Sequence, residues 1–201
     1  MAVPAKVPFV GLTGGLGAGK STALAALERL GAATISTDAV VHELYGTPEV
    51  IDAVVDRWGP EVAPGGVVDR SQVAARAFAD PAERAWLEAL LWPLVGRRVW
   101  EWREAVAAQD PPPPAGVVET PLLFEAGLAD AYDATIAVIA PEEVRAARAA
   151  ARGHQAVDER TARQLSQEEK AQRATFSVVN AGTIDELEQE LSAILEKLKQ
   201  T

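Results

Sequence analysis

The stretch Gly14-Gly15-Leu16-Gly17-Ala18-Gly19-Lys20-Ser21 fits GxxxxGK[ST] in full, and its surroundings constrain the fold more than any other part of the chain. The apolar run Val7-Pro8-Phe9-Val10 leads into it, and Ala23-Leu24-Ala25-Ala26-Leu27 follows it. Strand, glycine-rich loop and helix in that order are the setting in which this motif wraps a phosphate. Glycines let successive backbone N–H groups turn onto an anion, and the helix behind them aims its positive end at the same point. Lys20 reaches the β and γ oxygens, and Ser21 can hold Mg²⁺. The segment from Gly14 to Thr22 therefore predicts a cradle for a nucleoside triphosphate.

A strand feeding such a helix needs a parallel sheet to return to, and the sequence supplies one. Short, β-rich apolar runs recur at Val7 to Thr13, Ala32 to Ser36, Gly116 to Thr120, Ala134 to Ile139 and Thr175 to Val179. They are apolar throughout rather than alternating, as expected for strands covered on both faces. Helical patterns lie between them at Lys20 to Leu30 and Pro141 to Arg152, with a last helix from Ile184 to Leu198. A doubly wound α/β fold with a parallel five-stranded sheet flanked by helices follows. Residues 37 to 115 are far more than the ~12 a simple crossover needs, so something is inserted there. Val50, Ile51, Val54, Val55 and Trp58 share one helical face, and Trp86, Leu87, Leu90, Leu91, Leu94 and Val95 share another. The insertion closes on Asp110-Pro111-Pro112-Pro113-Pro114, a stiff connector back to the sheet. It also holds all five tryptophans, which read as packing residues or, for one of them, a ligand-stacking ring.

Composition narrows the chemistry. With 201 residues, 48% hydrophobic, the chain can bury a sizeable core. It has no cysteine and two histidines, which removes disulfides, thiolate metal sites and multi-histidine centres. A formal net charge of −10 argues against nucleic acid gripped by the whole surface. A small phosphorylated ligand needs only a local positive pocket, and Arg145, Arg148, Arg152, Arg160 and Arg163 crowd one short region. The N-terminus lacks the pattern of a signal peptide and no run is long enough to span a membrane, so the expectation is a cytoplasmic protein, a monomer or weak homo-oligomer.

Three further positions bear on the fate of the γ-phosphate. Asp56-Arg57-Trp58-Gly59 matches the DxxG of nucleotide switches, but the apolar residues before it are spaced for a helix and no NKxD motif accompanies it. Asp38 follows the second strand run by two positions, at the edge where the glycine-rich loop also opens. It reads either as a helix N-cap ahead of Ala39-Val40-Val41 or as a general base drawing a proton from an acceptor hydroxyl. His42, four residues on, is a solvent-facing helix residue or part of the same site. Glu119 closes the third run, where an acid can organise Mg²⁺, cap or form a salt bridge.

The blocks GLTGGLGAGKS at 11 to 21, TDAVVHEL at 37 to 44, VVDR at 67 to 70, PLLFEAGL at 121 to 128, QLSQEEK at 164 to 170 and VVNAG at 178 to 182 together resemble dephospho-CoA kinases in order and spacing. The resemblance implies a P-loop NTPase-type core over 1 to 37, 115 to 140 and 171 to 201, a helical insertion at 38 to 114 that binds the acceptor, and an Arg-rich helical lid at 141 to 170. It implies transfer of the ATP γ-phosphate to the ribose 3′-hydroxyl of dephospho-CoA, with Mg²⁺ and with no nucleic-acid or membrane partner. On that model Asp38 is the catalytic base, and Lys20, Arg148 and Arg152 offset transition-state charge. Asp69, Arg70, Leu123, Phe124, Glu125 and His42 serve the acceptor, Asn180 and Gly182 lie beside the adenine, and Arg160 and Gln164 are further lid positions. The chain departs from the family pattern at Ser36, Trp92 and Glu119, where the family usually has Asp, His and Asp.

Overall fold

A computed structural model describes residues 7–151 and 164–200. The chain divides into two compact units, one formed by Met1–Ser36 with Arg103–Thr201 and the other by Thr37–Trp102.

The first unit is built on a five-stranded parallel sheet. Its strands are β1 (Phe9–Gly14), β2 (Ala33–Ser36), β3 (Gly116–Glu119), β4 (Ala134–Ile139) and β5 (Phe176–Val179), in the spatial order β2-β3-β1-β4-β5. Every residue of β1 and β3 is buried, which is why these runs are apolar without alternation. β5 forms one edge, and there only Val178 is buried. β1 pairs with β3 from Phe9↔Gly116 to Leu12↔Glu119 and with β4 from Val10↔Ala134 to Gly14↔Val138. Glu119 also stands opposite Ser36 of β2. The carboxyl ends of β1, β2 and β3 are thereby brought into line.

Helix α1 (Lys20–Arg29) leaves β1 through the glycine-rich loop. Its buried Ala23, Ala26 and Leu27 join one cluster with Val10 and Leu12 of β1 and with residues of the last helix. That helix spans Ile184–Leu198 and buries Leu187, Leu191, Ile194, Leu195 and Leu198, a heptad-like stripe. Each such side chain contributes about 1.5–3 kcal/mol when fully buried. A capping box between Thr183 and Glu186 starts the helix.

The second unit is helical. It contains α2 (Thr37–Leu44), α3 (Pro48–Trp58), α4 (Arg70–Ala79) and most of α5 (Pro81–Ala107). Trp58 meets Trp86 edge-on at 5.0 Å between centroids, Arg57 lies over the Trp86 ring at 5.5 Å, and Glu83 accepts from Trp58 Nε1 at 2.7 Å. Aromatic packing and one shared carboxylate thus fasten α3 to α5. Asp56 lies within α3, and the switch-like letters at 56 to 59 are a helix ending on Gly59. The insertion is shorter than its sequence pattern indicates: residues 103 to 114 belong to the first unit. Arg103 stacks on Phe9 there, with its guanidinium 4.4 Å from the ring centroid.

Helix α6 (Glu142–Ala151) follows β4, and α7 (Gln167–Arg173) precedes β5. The last helix, Ile184–Leu198, is α8.

Candidate active site

The glycine-rich loop bends so that its carbonyl oxygens all meet cationic or amide donors. Lys20 Nζ donates to Gly14 O and Gly15 O at 3.1 and 3.2 Å. Arg145 Nε donates to Leu16 O at 3.0 Å. Arg148 donates to Gly17 O and Ala18 O at 3.5 and 3.4 Å, and Asn180 Nδ2 donates to Ala18 O at 2.9 Å. In a trans peptide the N–H points opposite to the C=O, so these planes turn their N–H groups away from the cations, Ala18 N being taken up within the loop by Gly15 O at 3.2 Å. A concave row of N–H groups is an anion nest. The N-cap of α1, Gly19, brings no side-chain acceptor to the first turn of that helix, whose Ala23 N donates to Gly19 O at 3.0 Å.

Glycine is required where the chain is tightest. Gly19 has φ +91, and a Cβ there would stand 2.0 Å from Asn180 Nδ2. Gly17 has φ +74, and a Cβ would stand 2.7 Å from the carbonyl oxygen of Arg145. The loop is therefore pressed against the turn after β5 and against α6 at once.

Arg148 also donates to Asn180 O at 3.2 Å, so α6, the loop and the end of β5 share one network. Asn180 is buried, with its amide on the loop backbone. Gly182 lies one residue before the α8 capping box, and a Cβ there would meet Glu186 at 2.0 Å. The sequence counts Arg145 among the crowded arginines but assigns it no role of its own, whereas the structure seats it on the glycine-rich loop. Its spacing of three from Arg148, which puts both on one helical face, was the available signal. Arg152 and Arg160 lie outside the described residues. Gln164 is within them, in a bend before α7.

Ser21 and Thr22 occupy the first turn of α1, with Ser21 exposed. Glu119 ends β3 and is 8% exposed. The turn that follows holds Leu123, Phe124 and Glu125. Leu123 is fully buried and packs toward Gly11 of β1, so its side chain offers nothing to a ligand in this structure. Glu125 Oε1 lies 3.0 Å from Nζ of the fully buried Lys170 and accepts from Leu165 N at 2.8 Å. Burial pushes the Lys170 ammonium down from its ordinary value, against the opposing pull of Glu125.

The second unit carries its own polar cluster. Asp38 and His42 are one turn apart on α2, both exposed. Asp38 lies inside the first turn rather than before it, which removes the N-cap reading. Arg70 at the start of α4 approaches His42 Nδ1 at 2.5 Å. Arginine only donates, so Nδ1 accepts and the ring proton of this pair belongs on Nε2. Asp69 is the N-cap of α4. Its Oδ1 accepts from Ser71 Oγ at 2.5 Å, Ser71 N at 2.9 Å and Gln72 N at 3.2 Å, and these bonds, the Ser71 hydroxyl first, hold its carboxyl below the usual range. Burial pushes the Tyr45 phenol up, partly offset by the charge of Arg70. Leu44, Thr47, Leu94, Arg97, Arg98 and Glu101 line a cavity of about 290 Å³, whose arginines the sequence did not single out. Trp92 projects from α5, 57% exposed.

The dephospho-CoA kinase family model matches residues 8–186. The chain belongs to the dephospho-CoA kinase family. The dephospho-CoA kinase of Deinococcus radiodurans is 40% identical over 195 residues, covering 96% of this chain and 93% of that one. The corresponding enzyme of Anaeromyxobacter dehalogenans is 39% identical, covering 94% and 92%. A crystal structure from Thermus thermophilus, 36% identical, superposes with a TM-score of 0.77 over 96% of this chain and 99% of the other. Among the described residues no helix is long and apolar enough to cross a membrane.

Proposed function

We propose that this chain transfers the γ-phosphoryl group of ATP to the ribose 3′-hydroxyl of dephospho-CoA, giving CoA and ADP as the last step of CoA synthesis. The observation that supports it most directly is the glycine-rich loop, whose carbonyls are drawn outward by Lys20, Arg145, Arg148 and Asn180. Full-length kinship with dephospho-CoA kinases names the acceptor.

Such transfer is mostly positioning and charge neutralisation. The backbone of Gly14 to Ser21, with Thr22 in the first turn of α1, holds the triphosphate. Lys20 exchanges its loop carbonyls for phosphate oxygens, and Arg148, with Arg152, offsets charge on the transferring group. Asn180 and Gly182 border the adenine. Asp38 takes the proton of the acceptor hydroxyl as its oxygen bonds to the γ-phosphorus and the bond to ADP breaks. His42, Arg70, Phe124, Glu125 and the backbone at Leu123 serve the acceptor, and Asp69 acts by fixing the helix turn that presents Arg70.

The Ser21 hydroxyl and the Glu119 carboxylate are the residues that would hold Mg²⁺. One exposed hydroxyl and one carboxylate suit an ion that keeps most of its shell as water and phosphate oxygen. Bound there it would neutralise phosphate charge. Glutamate at 119 in place of the family's usual aspartate has the longer arm, which favours contact through water. The same reading puts the enzyme in the cytoplasm as a monomer or weak homo-oligomer.

The test is ADP release from Mg-ATP with and without dephospho-CoA, in parallel with AMP, CMP, UMP and shikimate, with products weighed by mass spectrometry. Release stimulated only by dephospho-CoA, with a product one phosphate heavier, is expected. Stimulation by a different acceptor, or by none, would sink the proposal.

A further inference from the structure

Lys170 is the largest fully buried side chain among the described residues, and it is a cation. Its Nζ donates to Pro121 O at 2.6 Å and lies 3.0 Å from Glu125 Oε1. Pro121 O also accepts from Thr13 Oγ1 at 3.2 Å, at the end of β1 just before the glycine-rich loop. Glu125 Oε1 accepts in turn from Leu165 N, just ahead of α7. Three pieces of chain thus meet on one ion pair: the end of β1, the turn at 121 to 128 and the approach to α7. The turn itself is closed by Ala126 N to Leu122 O, Gly127 N to Phe124 O and Leu128 N to Leu123 O, so moving Glu125 moves Phe124 with it.

We propose that Glu125 and Lys170 are positioning residues for the transfer, holding the 121–128 turn, and with it Phe124, in the place the acceptor requires. The inference rests on the reading that this turn serves the acceptor, and it moves Glu125 from direct contact with the acceptor to a role through its neighbours. Stability alone is a poor reason for the pair, because a buried ion pair commonly does no better than apolar residues of the same volume. The satisfaction is also incomplete: among the described residues Glu125 Oε2 is buried without a hydrogen-bond partner. A group left in that state weakens the fold. Burial lowers the Lys170 pKa, which accords with a charge kept there at a cost.

Removing one partner strands the other charge, so single variants such as Lys170→Met can fail to fold. The decisive variant is the double replacement Glu125→Met with Lys170→Met, which removes both charges at similar volume. Its unfolding midpoint is measured beside kcat and the KM for dephospho-CoA and for Mg-ATP, with Mg-ATP binding measured separately at equilibrium. The expected result is an unfolding midpoint at or above that of the parent chain, ATP affinity within about twofold, and kcat/KM for dephospho-CoA lower by about 10–100-fold, the scale of a misplaced reacting group. A double variant with parental kcat/KM, or one that no longer folds, would make the pair a structural staple and overturn the proposal. A loss of equilibrium Mg-ATP binding as large as the fall in kcat/KM for dephospho-CoA would also overturn it, since the pair would then govern the glycine-rich loop. Failure of the underlying reading shows up elsewhere, as a parent chain that does not phosphorylate dephospho-CoA.

Discussion

At the scale of single residues, the roles divide between groups that act on the reaction and groups that hold those groups still. Asp38 is exposed in the first turn of α2, and the proposed function puts it in the acting set. Asp38→Asn keeps shape and removes the proton acceptor. The expected outcome is Mg-ATP affinity within about twofold and turnover lower by about 10²–10⁴-fold, the range of a lost general base, checked by equilibrium binding and acceptor-dependent ADP release. Near-parental turnover would remove Asp38 from the mechanism. Gly19 belongs to the holding set. Gly19→Ala puts an L side chain at φ +91 and a carbon into the Asn180 amide. A left-handed φ alone costs about 1–2 kcal/mol, so kcat/KM for ATP should fall by about tenfold or more, while a steady-state assay giving an unchanged value would mean the loop and the β5 turn are not pressed together as described. The motif made the placement of Lys20 and Ser21, in the first turn of α1 behind the glycine-rich loop, legible from sequence, because that placement is local to one segment. Arg145 and the Glu125 to Lys170 pair were not, because a long-range partner decides what each side chain does. Asp69 shows the converse: the sequence marks it as important, and only the bonds to Ser71 and Gln72 show that it works as a cap.

At the scale of elements, the period of apolar residues carried most of the fold. β1, β3 and β4 were readable because burial on both faces makes them mostly apolar without alternation, with Thr13, Glu119 and Thr135 as their buried polar members. The order β2-β3-β1-β4-β5 was not readable, since no residue advertises which strand lies beside which. The end of the insertion was misjudged for a related reason: α5 is continuous across it, and the switch of allegiance at Arg103 is made by a contact with Phe9, remote in sequence. α8 allows burial and capping to be compared on one helix. Leu191→Ala empties a fully buried position and should cost about 2–5 kcal/mol. Thr183→Ala removes the side chain that accepts from Glu186 N at 3.2 Å and should cost about 0.5–2 kcal/mol. Denaturant unfolding of both variants checks the ranking. A cap variant as damaging as the core variant would mean that α8 is held at its start rather than along its stripe.

At the scale of the whole molecule, the acidic surface sets how the fold meets low pH. The carboxyls of Asp69, Glu83, Glu168 and Glu169 are held below their ordinary values. The Ser71 hydroxyl does this for Asp69, the Arg57 hydrogen bond followed by that of Trp58 for Glu83, a backbone hydrogen bond at Glu168 itself followed by the Gln167 side chain for Glu168, and the Ser166 backbone followed by its side chain for Glu169. As pH falls, the unfolded chain binds these protons first, so stability falls with it. The contribution is whole above the ordinary values of 3.8 for Asp and 4.5 for Glu, and it is lost as pH drops through the lower values of the folded state. Asp69 and Glu83 lie in the second unit, Glu168 and Glu169 in the first, so both units weaken in the same window. All five tryptophans fall within Thr37–Trp102, which makes tryptophan emission a report on the second unit alone. Glu83→Gln should therefore unfold earlier than the parent at pH 7, because it offers Arg57 a neutral oxygen where a charged one stood. As pH falls below 4.5 and on through the lower value of the folded state, the parent's Glu83 takes up its proton and the gap between the two curves should narrow. The measurement is the emission midpoint in denaturant for both chains across that range. A gap that stays constant from pH 7 to pH 3 would mean that the Glu83 contact with Arg57 and Trp58 acts through packing and hydrogen-bond geometry, with its charge contributing nothing.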